Sequence, residues 1–123
     1  MQHLTNWVEI PVKNMQRAVR FYSAILGGVT LKELELGPVK YALFPSDDKY
    51  NCGALARGDY YTPSADGVVI YLDGGKDLNQ ILSRVTPAGG RVVMEKTFLA
   101  DEAGYIGMFL DTEGNKIGLQ NPK

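Results

Sequence analysis

Apolar and other residues alternate at the start of the chain, and the period then changes to that of a helix. The alternating apolar set is Val8, Ile10 and Val12. This period of two predicts a strand over residues 5–12 with two different faces. From Met15 onwards the apolar positions recur at helical spacing, with Asn14 as the N-cap and Gly27 and Gly28 as the stop. The pattern therefore predicts a strand followed by an amphipathic helix over 14–26.

The same order of patterns returns in the second half of the chain. A strand over 67–73 precedes a helix over 76–88, which two glycines again close. The other predicted strands cover residues 29–36, 39–45, 52–58, 91–97, 105–111 and 116–120. Each half is then one β-α-β-β-β module within a single domain covering residues 1–123. Module one spans 5–58, a polar linker spans 59–66, and module two spans 67–120.

This order predicts an α+β fold in which tandem β-α-β-β-β modules form a cupped mixed sheet, with the helices on the outer face. Each helix covers one face of its four-stranded sheet and leaves the opposite face open. Two such sheets side by side would enclose a cup. Ligand sites are concave surfaces with a few placed polar groups, so we expect a small molecule to bind there.

Composition and charge remove several classes of function. The chain has 123 residues, of which 45% are hydrophobic and 22% charged, with a net charge of −1 and one cysteine. The scattered Lys and Arg residues argue against a nucleic-acid partner. No apolar run has the roughly 20 residues that cross a bilayer, and the N-terminus lacks the pattern of a signal peptide. We expect a cytoplasmic protein without disulfides.

The period-two rule assigns the residues that face the cup. Because Val8 and Ile10 pack under the helix, Trp7 and Glu9 should point into the cup. Glu9 beside an indole is a candidate general base or ligand anchor, or it pairs with Lys96 or an arginine across the sheet. Trp7 either stacks on a ligand or fills the core between the modules.

Other residues complete the predicted ligand-binding face. Gly118 leaves space for a ring-shaped ligand or for a neighbouring side chain such as Trp7. Lys96 is either an anchor for an anionic group or a solvated lysine, and Tyr61, with Tyr60, is a candidate lid or dimer contact. The remaining residues expected to line the cup are Val68, Ile70, Ile106, Met108 and Gln120.

Three further features have structural interpretations. Cys52 lacks a base partner in sequence and is expected to be a small buried residue. Asp111, Gly114 and Asn115 have the composition of a tight turn. The segment SDDKYN (46–51) lacks the spacing of a calcium loop and is expected to be a solvated loop.

The tandem module order resembles the vicinal oxygen chelate superfamily, which contains glyoxalase I, bleomycin-resistance proteins and extradiol dioxygenases. The resemblance covers essentially the whole chain. It is carried by EIPVKNMQRAVRFYSAILGG at the front, the KTFL segment and FLDTEGNKIGL at the back. It implies two β-α-β-β-β modules, often a homodimer, with the site in the cup and usually a divalent metal.

The metal ligands of this superfamily are His or Glu residues on four strands. By resemblance, these positions fall on Trp7, on the segment 52–58, on Val68 and on Gly118, and none of them offers a His or a carboxylate. His3 lies upstream of the first position and is expected to be an exposed terminal residue. We therefore predict no metal and no other cofactor.

Three functions follow as alternatives. The first is a small-molecule binding protein without a catalytic metal. The second is a glyoxalase-like enzyme, a lyase or isomerase that acts on a small oxygenated substrate with Glu9 as acid or base. The third is an interaction protein whose cup is filled by its own side chains or by a partner chain.

Overall fold

The structure is a computed structural model that describes residues 3–47 and 52–123. Residues 48–51 of the predicted loop 46–51 lie outside the described residues. The elements follow in this order: β1 (Val8–Pro11), α1 (Met15–Ile25), β2 (Lys32–Leu36), β3 (Val39–Leu43), β4 (Gly53–Arg57), β5 (Tyr71–Asp73), α2 (Asn79–Val85), β6 (Arg91–Ala100), β7 (Gly104–Leu110) and β8 (Lys116–Asn121).

Two mixed four-stranded sheets carry the fold. The first has the strand order β1-β4-β3-β2 and the second the order β5-β8-β7-β6. In each sheet one pair is parallel, β1 with β4 and β5 with β8, and the other pairs are antiparallel. The predicted α+β class and the β-α-β-β-β order of each half are confirmed.

Helix α1 forms where the pattern predicts it. The Asn14 side chain accepts a 3.0 Å hydrogen bond from the Arg17 amide, which satisfies one of the free donors of the first turn. Gly27 has a φ of 85°, a left-handed conformation that ends the helix at little cost. The buried face of α1 consists of Met15, Ala18, Phe21, Tyr22 and Ile25.

Two elements of the second module are shorter than predicted. Helix α2 begins at Asn79 rather than at residue 76, because Asp77 Oδ1 accepts the Asn79 amide in a local turn. The buried Asn121 side chain then accepts the Leu78 amide at 2.8 Å. Strand β5 begins at Tyr71 rather than at residue 67, which has a φ of 92°.

One core joins the two modules. The rings of Phe21 and Tyr22 on α1 pack against Phe109 on β7, with ring centroids 5.8 and 6.5 Å apart. The Tyr22 hydroxyl donates a 2.6 Å hydrogen bond to Asp111, and both residues are buried. Burial is the largest cause that raises the pKa of Tyr22 well above its ordinary value.

The turn between β7 and β8 is also bonded to the start of α1. Glu113 Oε1 accepts hydrogen bonds of 2.8 Å from the amides of Lys13 and Asn14, and Arg17 forms a 2.7 Å ion pair with Glu113 Oε2. The predicted turn is present, since Asp111 Oδ1 accepts the amides of Glu113 and Asn115. Neither helix of the described residues has the length and apolarity to span a membrane.

Candidate functional site

The candidate site lies on the face of each sheet that is turned away from its helix. We call this face the open face. In β1, Ile10 is 1% exposed and belongs to the core, so Glu9 points to the open face. The Trp7 indole Nε1 donates a 3.3 Å hydrogen bond to Glu9 Oε2, which places the indole beside the carboxylate. The predicted placement of these two side chains agrees with the structure.

Tyr61 of the linker contacts Glu9 on the open face. Its hydroxyl donates a 2.6 Å hydrogen bond to Glu9 Oε1. This bond is the largest cause that raises the pKa of Tyr61, and a hydrogen bond with Tyr41 is the second. Tyr61 is therefore a protonated donor at neutral pH. The alternative in which Glu9 pairs with Lys96 is wrong, because Lys96 bonds elsewhere.

Alanine residues of β4 lie on the sheet surface beneath these side chains, and we call them the floor of β4. Ala54 pairs with Glu9, and Ala56 pairs with Tyr41 of β3, so all four side chains share the open face. Both alanines are fully buried. Glu9 and Tyr41 therefore lie on either side of β4 on this face, with only short side chains between them. We call Trp7, Glu9, Tyr41 and Tyr61 the aromatic–carboxylate cluster.

The second module presents a largely apolar open face. Met108 of β7 pairs with Gly118 of β8, and Ile106 pairs with Gln120, so these four predicted residues share one face. Gln120 is exposed, and its amide donates a 2.9 Å hydrogen bond to the Ala103 carbonyl. The face assignment agrees with the period-two rule, while a role in binding stays a prediction.

The space above Gly118 is filled by Tyr71. A Cβ at Gly118 would lie 2.3 Å from Tyr71 Cδ1, closer than van der Waals contact allows. The ring itself remains 41% exposed on the open face. The space at Gly118 is therefore taken by a neighbouring side chain, the second of the two alternatives, and that side chain is Tyr71 rather than Trp7.

Lys96 does not face the open side, which corrects the sequence prediction. Two register shifts precede Lys96 in β6, one between Val92 and Met94 and one between Met94 and Thr97, and each inserts one extra residue. Each shift exchanges the faces, so Lys96 lies on the same side as Val92 and opposite to Met94. Lys96 Nζ then lies 2.9 Å from Asp77 Oδ1 and 4.7 Å from the centroid of the Tyr105 ring.

Val68 and Ile70 lie beside the linker rather than within a strand. Val68 is 91% exposed, and Ile70 packs against the core. Both line a cleft of about 270 Å³ that Glu9, Asp66 and Lys116 also line. A second cleft of about 370 Å³ separates β1 from β5 and is lined mainly by apolar side chains, including Val8, Phe44 and Leu72.

The remaining predicted residues lie apart from the cluster. Tyr60 is 97% exposed and His3 is exposed. Cys52 is half-buried, and its thiol donates to the Pro45 carbonyl at 3.9 Å. Sequence reasoning missed Tyr41 and Tyr71. The alternation within β3 carried the signal for Tyr41, but no contact in the sequence pointed from it to Glu9.

The positions of the superfamily's metal ligands do not fit a metal ion here. They carry the Trp7 indole, the floor of β4, the exposed Val68 side chain and Gly118 under the Tyr71 ring. None of these supplies an imidazole or a carboxylate. Across residues 3–47 and 52–123, no three His, Cys, Asp or Glu side chains are grouped to hold a metal ion.

Comparison with known proteins gives the same fold throughout. The model of the Glyoxalase/Bleomycin resistance protein/Dioxygenase superfamily matches residues 4–119. No protein of curated function matches the sequence.

Three solved structures illustrate the likeness. TnmS3, an antibiotic binding protein from Streptomyces sp. CB03234, is 21% identical with a TM-score of 0.66, over 100% of this chain and 98% of that one. A glyoxalase/bleomycin resistance protein from Albidiferax ferrireducens T118 is 18% identical with a TM-score of 0.65, over 98% and 100%. A glyoxalase I mutant from Zea mays is 19% identical with a TM-score of 0.66, over 94% of this chain and 45% of that one. At these identities the likeness shows the fold alone.

Proposed function

Because the chain belongs to the Glyoxalase/Bleomycin resistance protein/Dioxygenase superfamily, we propose that it binds a small molecule on the open face of its first module, without a catalytic metal. The observation that carries this proposal is the aromatic–carboxylate cluster. Trp7 is 43% exposed although it is held beside Glu9, so an apolar ring is available for contact. Exposed rings next to a placed polar group are typical of small-molecule sites.

The shape of the face supports the same function. The cleft of about 270 Å³ that Glu9 lines leaves space next to the carboxylate. Packing of Trp7 and Tyr61 on each other would have favoured the third function, in which the protein's own side chains or a partner chain fill the cup. Here Tyr61 bonds to Glu9 instead, and Trp7 stays accessible. TnmS3, described as an antibiotic binding protein, lends support from the same fold.

A screen of metabolites and ring-containing drugs by thermal shift tests the proposal. A ligand at 100 times its Kd stabilises the folded state by about 2.7 kcal/mol. Trp7 is the only tryptophan, so its fluorescence reports directly on the site. We expect a true ligand to change Trp7 emission and to lose affinity in Trp7→Ala, while Tyr60→Phe retains it. The absence of any ligand, or a ligand that is indifferent to Trp7→Ala, would contradict the proposal.

The second candidate is an enzyme in which Glu9 acts as acid or base on a small oxygenated substrate. It is favoured by the 2.6 Å hydrogen bond between Tyr61 and Glu9, which provides a path for a proton at the carboxylate. With an identified substrate, Glu9→Gln should abolish turnover while substrate binding persists. Full activity in Glu9→Gln would remove Glu9 from this role.

The proposal includes a homodimer in the cytoplasm. Each sheet ends in strands with a free edge, and Leu36 on the edge strand β2 is 70% exposed. Pairing with a second copy covers such edges. Light scattering after gel filtration should give twice the monomer mass of 13.5 kDa. A single cysteine suits the reducing cytoplasm.

A further inference from the structure

Within residues 3–47 and 52–123, the Glu9 carboxylate forms no ion pair with a cationic side chain. The ion pairs of the described residues join Arg17 to Glu113, Lys40 to Glu35, Lys96 to Asp77 and Lys123 to Asp101. None of them includes Glu9. Lys96, which the sequence offered as a partner for Glu9, lies on the helix side of β6 and pairs with Asp77. Among the described residues, the Glu9 carboxylate therefore bonds to two neutral donors, Trp7 and Tyr61.

The two oxygens of Glu9 differ in their contacts. Oε1 accepts the short 2.6 Å bond from Tyr61. Oε2 has only the 3.3 Å bond from the Trp7 indole, which lies beyond the usual range for N–H donors and is exposed. A ligand group that donates an N–H, or that carries a positive charge, would find Oε2 open.

Two aromatic side chains bond to this carboxylate, and a third shares its face. Trp7 and Tyr61 bond to Glu9 directly, and Tyr41 lies on the same face on the other side of β4. The face of an aromatic ring attracts a cation, with Trp and Tyr rings among the strongest. A carboxylate among several rings is the chemical arrangement that recognises ammonium and pyridinium groups.

The neighbouring charges do not reverse this preference. The adjoining cleft is lined by Asp66 and Lys116, whose formal charges offset each other. Lys32 lies on the same open face, but it is three strands from Glu9, through Ala54 and Leu43. Three strand spacings are about 14 Å, beyond the screening length of about 8–10 Å. The charge next to the rings is therefore the negative charge of Glu9. An anionic ligand would meet a carboxylate at the centre of the cluster.

From these observations we propose that the ligand of this site is an organic cation, a flat or compact group that carries an ammonium or pyridinium nitrogen. The rings of Trp7, Tyr41 and Tyr61 contact the body of the ligand, and Glu9 Oε2 faces its charge. This inference rests on the proposed binding function and names the ligand class that the same site selects.

The test uses three flat probes of similar size and different charge: N-methylquinolinium, neutral quinoline and anionic 2-naphthoate. Binding is measured by isothermal titration calorimetry at neutral pH, where quinoline carries no charge. Two variants lose the same charge from the same sheet. Glu9→Gln removes it from the cluster, and Glu33→Gln removes it from the opposite face, where Glu33 pairs with Ala42.

We expect N-methylquinolinium to bind about tenfold more tightly than quinoline, and 2-naphthoate to bind least. Glu9→Gln should remove that tenfold advantage and leave the affinity for quinoline unchanged, while Glu33→Gln resembles the wild type. Gln retains an oxygen that can accept from Tyr61. Trp7 emission and the urea midpoint of Glu9→Gln confirm that the variant is folded. Tyr61→Phe is a second variant at the same site, and its affinity for the cation should differ from that of the wild type.

The other outcomes distinguish failure of the cation inference from failure of the small-molecule proposal. Equal affinity for the cation and quinoline, or an unchanged cation affinity in Glu9→Gln, overturns the cation inference and leaves small-molecule binding intact. The same holds if no probe binds although the thermal-shift screen yields a ligand that depends on Trp7. If neither the probes nor the screen yields a ligand, both proposals are wrong.

Discussion

Tyr61 donates its hydroxyl to Glu9 Oε1 at 2.6 Å, although 52 positions of the sequence separate the two residues. The bond fixes the linker to the open face of β1. A second bond, from the Ser64 amide to Asn115 Oδ1 at 3.0 Å, holds the same linker against the second module. The segment between the modules is therefore a wall of the candidate site as well as a connection.

Removing the Glu113 carboxylate should destabilise the protein at neutral pH. Burial opposes its ionisation, but hydrogen bonds from Arg17 and from the amides of Asn14 and Lys13 outweigh burial and lower the pKa of Glu113 to about 2. A shift from the ordinary 4.5 corresponds to about 3 kcal/mol. We expect Glu113→Gln to lose roughly this amount in urea unfolding at neutral pH.

The same carboxylate predicts how stability depends on pH. Since the pKa of Glu113 is lower in the folded state, its contribution is complete above pH 4.5 and is lost as the pH falls towards 2. In Glu113→Gln, the free energy of unfolding should therefore depend less on pH between 4.5 and 2. Glu35→Gln is the control, because its ion pair of 4.0 Å is exposed. A wild-type slope in Glu113→Gln would contradict the assignment.

Tyr22→Phe should destabilise the fold by about 1.5–3 kcal/mol, because it removes a buried hydrogen bond to a charged group. The lost bond is the 2.6 Å contact with Asp111, which joins α1 to the second module. Urea denaturation followed by circular dichroism measures the change. Tyr60→Phe makes the same substitution at a side chain that is 97% exposed and should have no effect. Equal midpoints for the two variants would show that the bond between Tyr22 and Asp111 contributes nothing.

Gly118→Ala should cost about 1–3 kcal/mol through overpacking against the Tyr71 ring. In a Tyr71→Ala background the same substitution should cost little, since the obstructing ring is gone. A double-mutant cycle in urea measures this coupling. If Gly118→Ala costs the same in both backgrounds, the Tyr71 ring does not fill the space above Gly118.

Lys96→Met should leave ligand affinity unchanged, because Lys96 lies on the helix side of β6. Its 2.9 Å pair with Asp77 is partly exposed, so the loss of stability should be below about 1 kcal/mol. Calorimetry with a ligand from the screen provides the measurement. A marked change in affinity would show that Lys96 contributes to the binding site, as the sequence prediction of an anion anchor has it.

The sequence predicts most of the fold because, along the first module, the hydrophobic period agrees with the residues that cap and end the elements. The alternation of β1 separates Ile10 from Glu9, and Asn14 and Gly27 bound α1. In β7 and β8 the same rule places Met108 and Gly118 together, since their register is unbroken. Local rules suffice wherever the register is continuous.

The rest depends on contacts that local patterns do not encode. A bulge leaves no mark in the alternation of side chains, and the register shifts of β6 decide which face Lys96 takes. The start of α2 depends on Asn121, which is 43 positions from Leu78. The bond between Tyr61 and Glu9 likewise depends on the path of the linker over the sheet. Such long-range partners are set by the tertiary fold.

The bulge in β6 makes the electrostatic character of the open face depend on chain length. Deleting Thr97 would remove the extra residue, bring Lys96 into register with Ile106 and turn an ammonium group towards the site, while Phe98 keeps its pairing with Tyr105. A single-codon deletion or insertion in a solvent-accessible strand could thus change the charge preference of the site without replacing any side chain. In a lineage of related binding proteins, this offers a route to new ligands that a comparison of aligned side chains would not reveal.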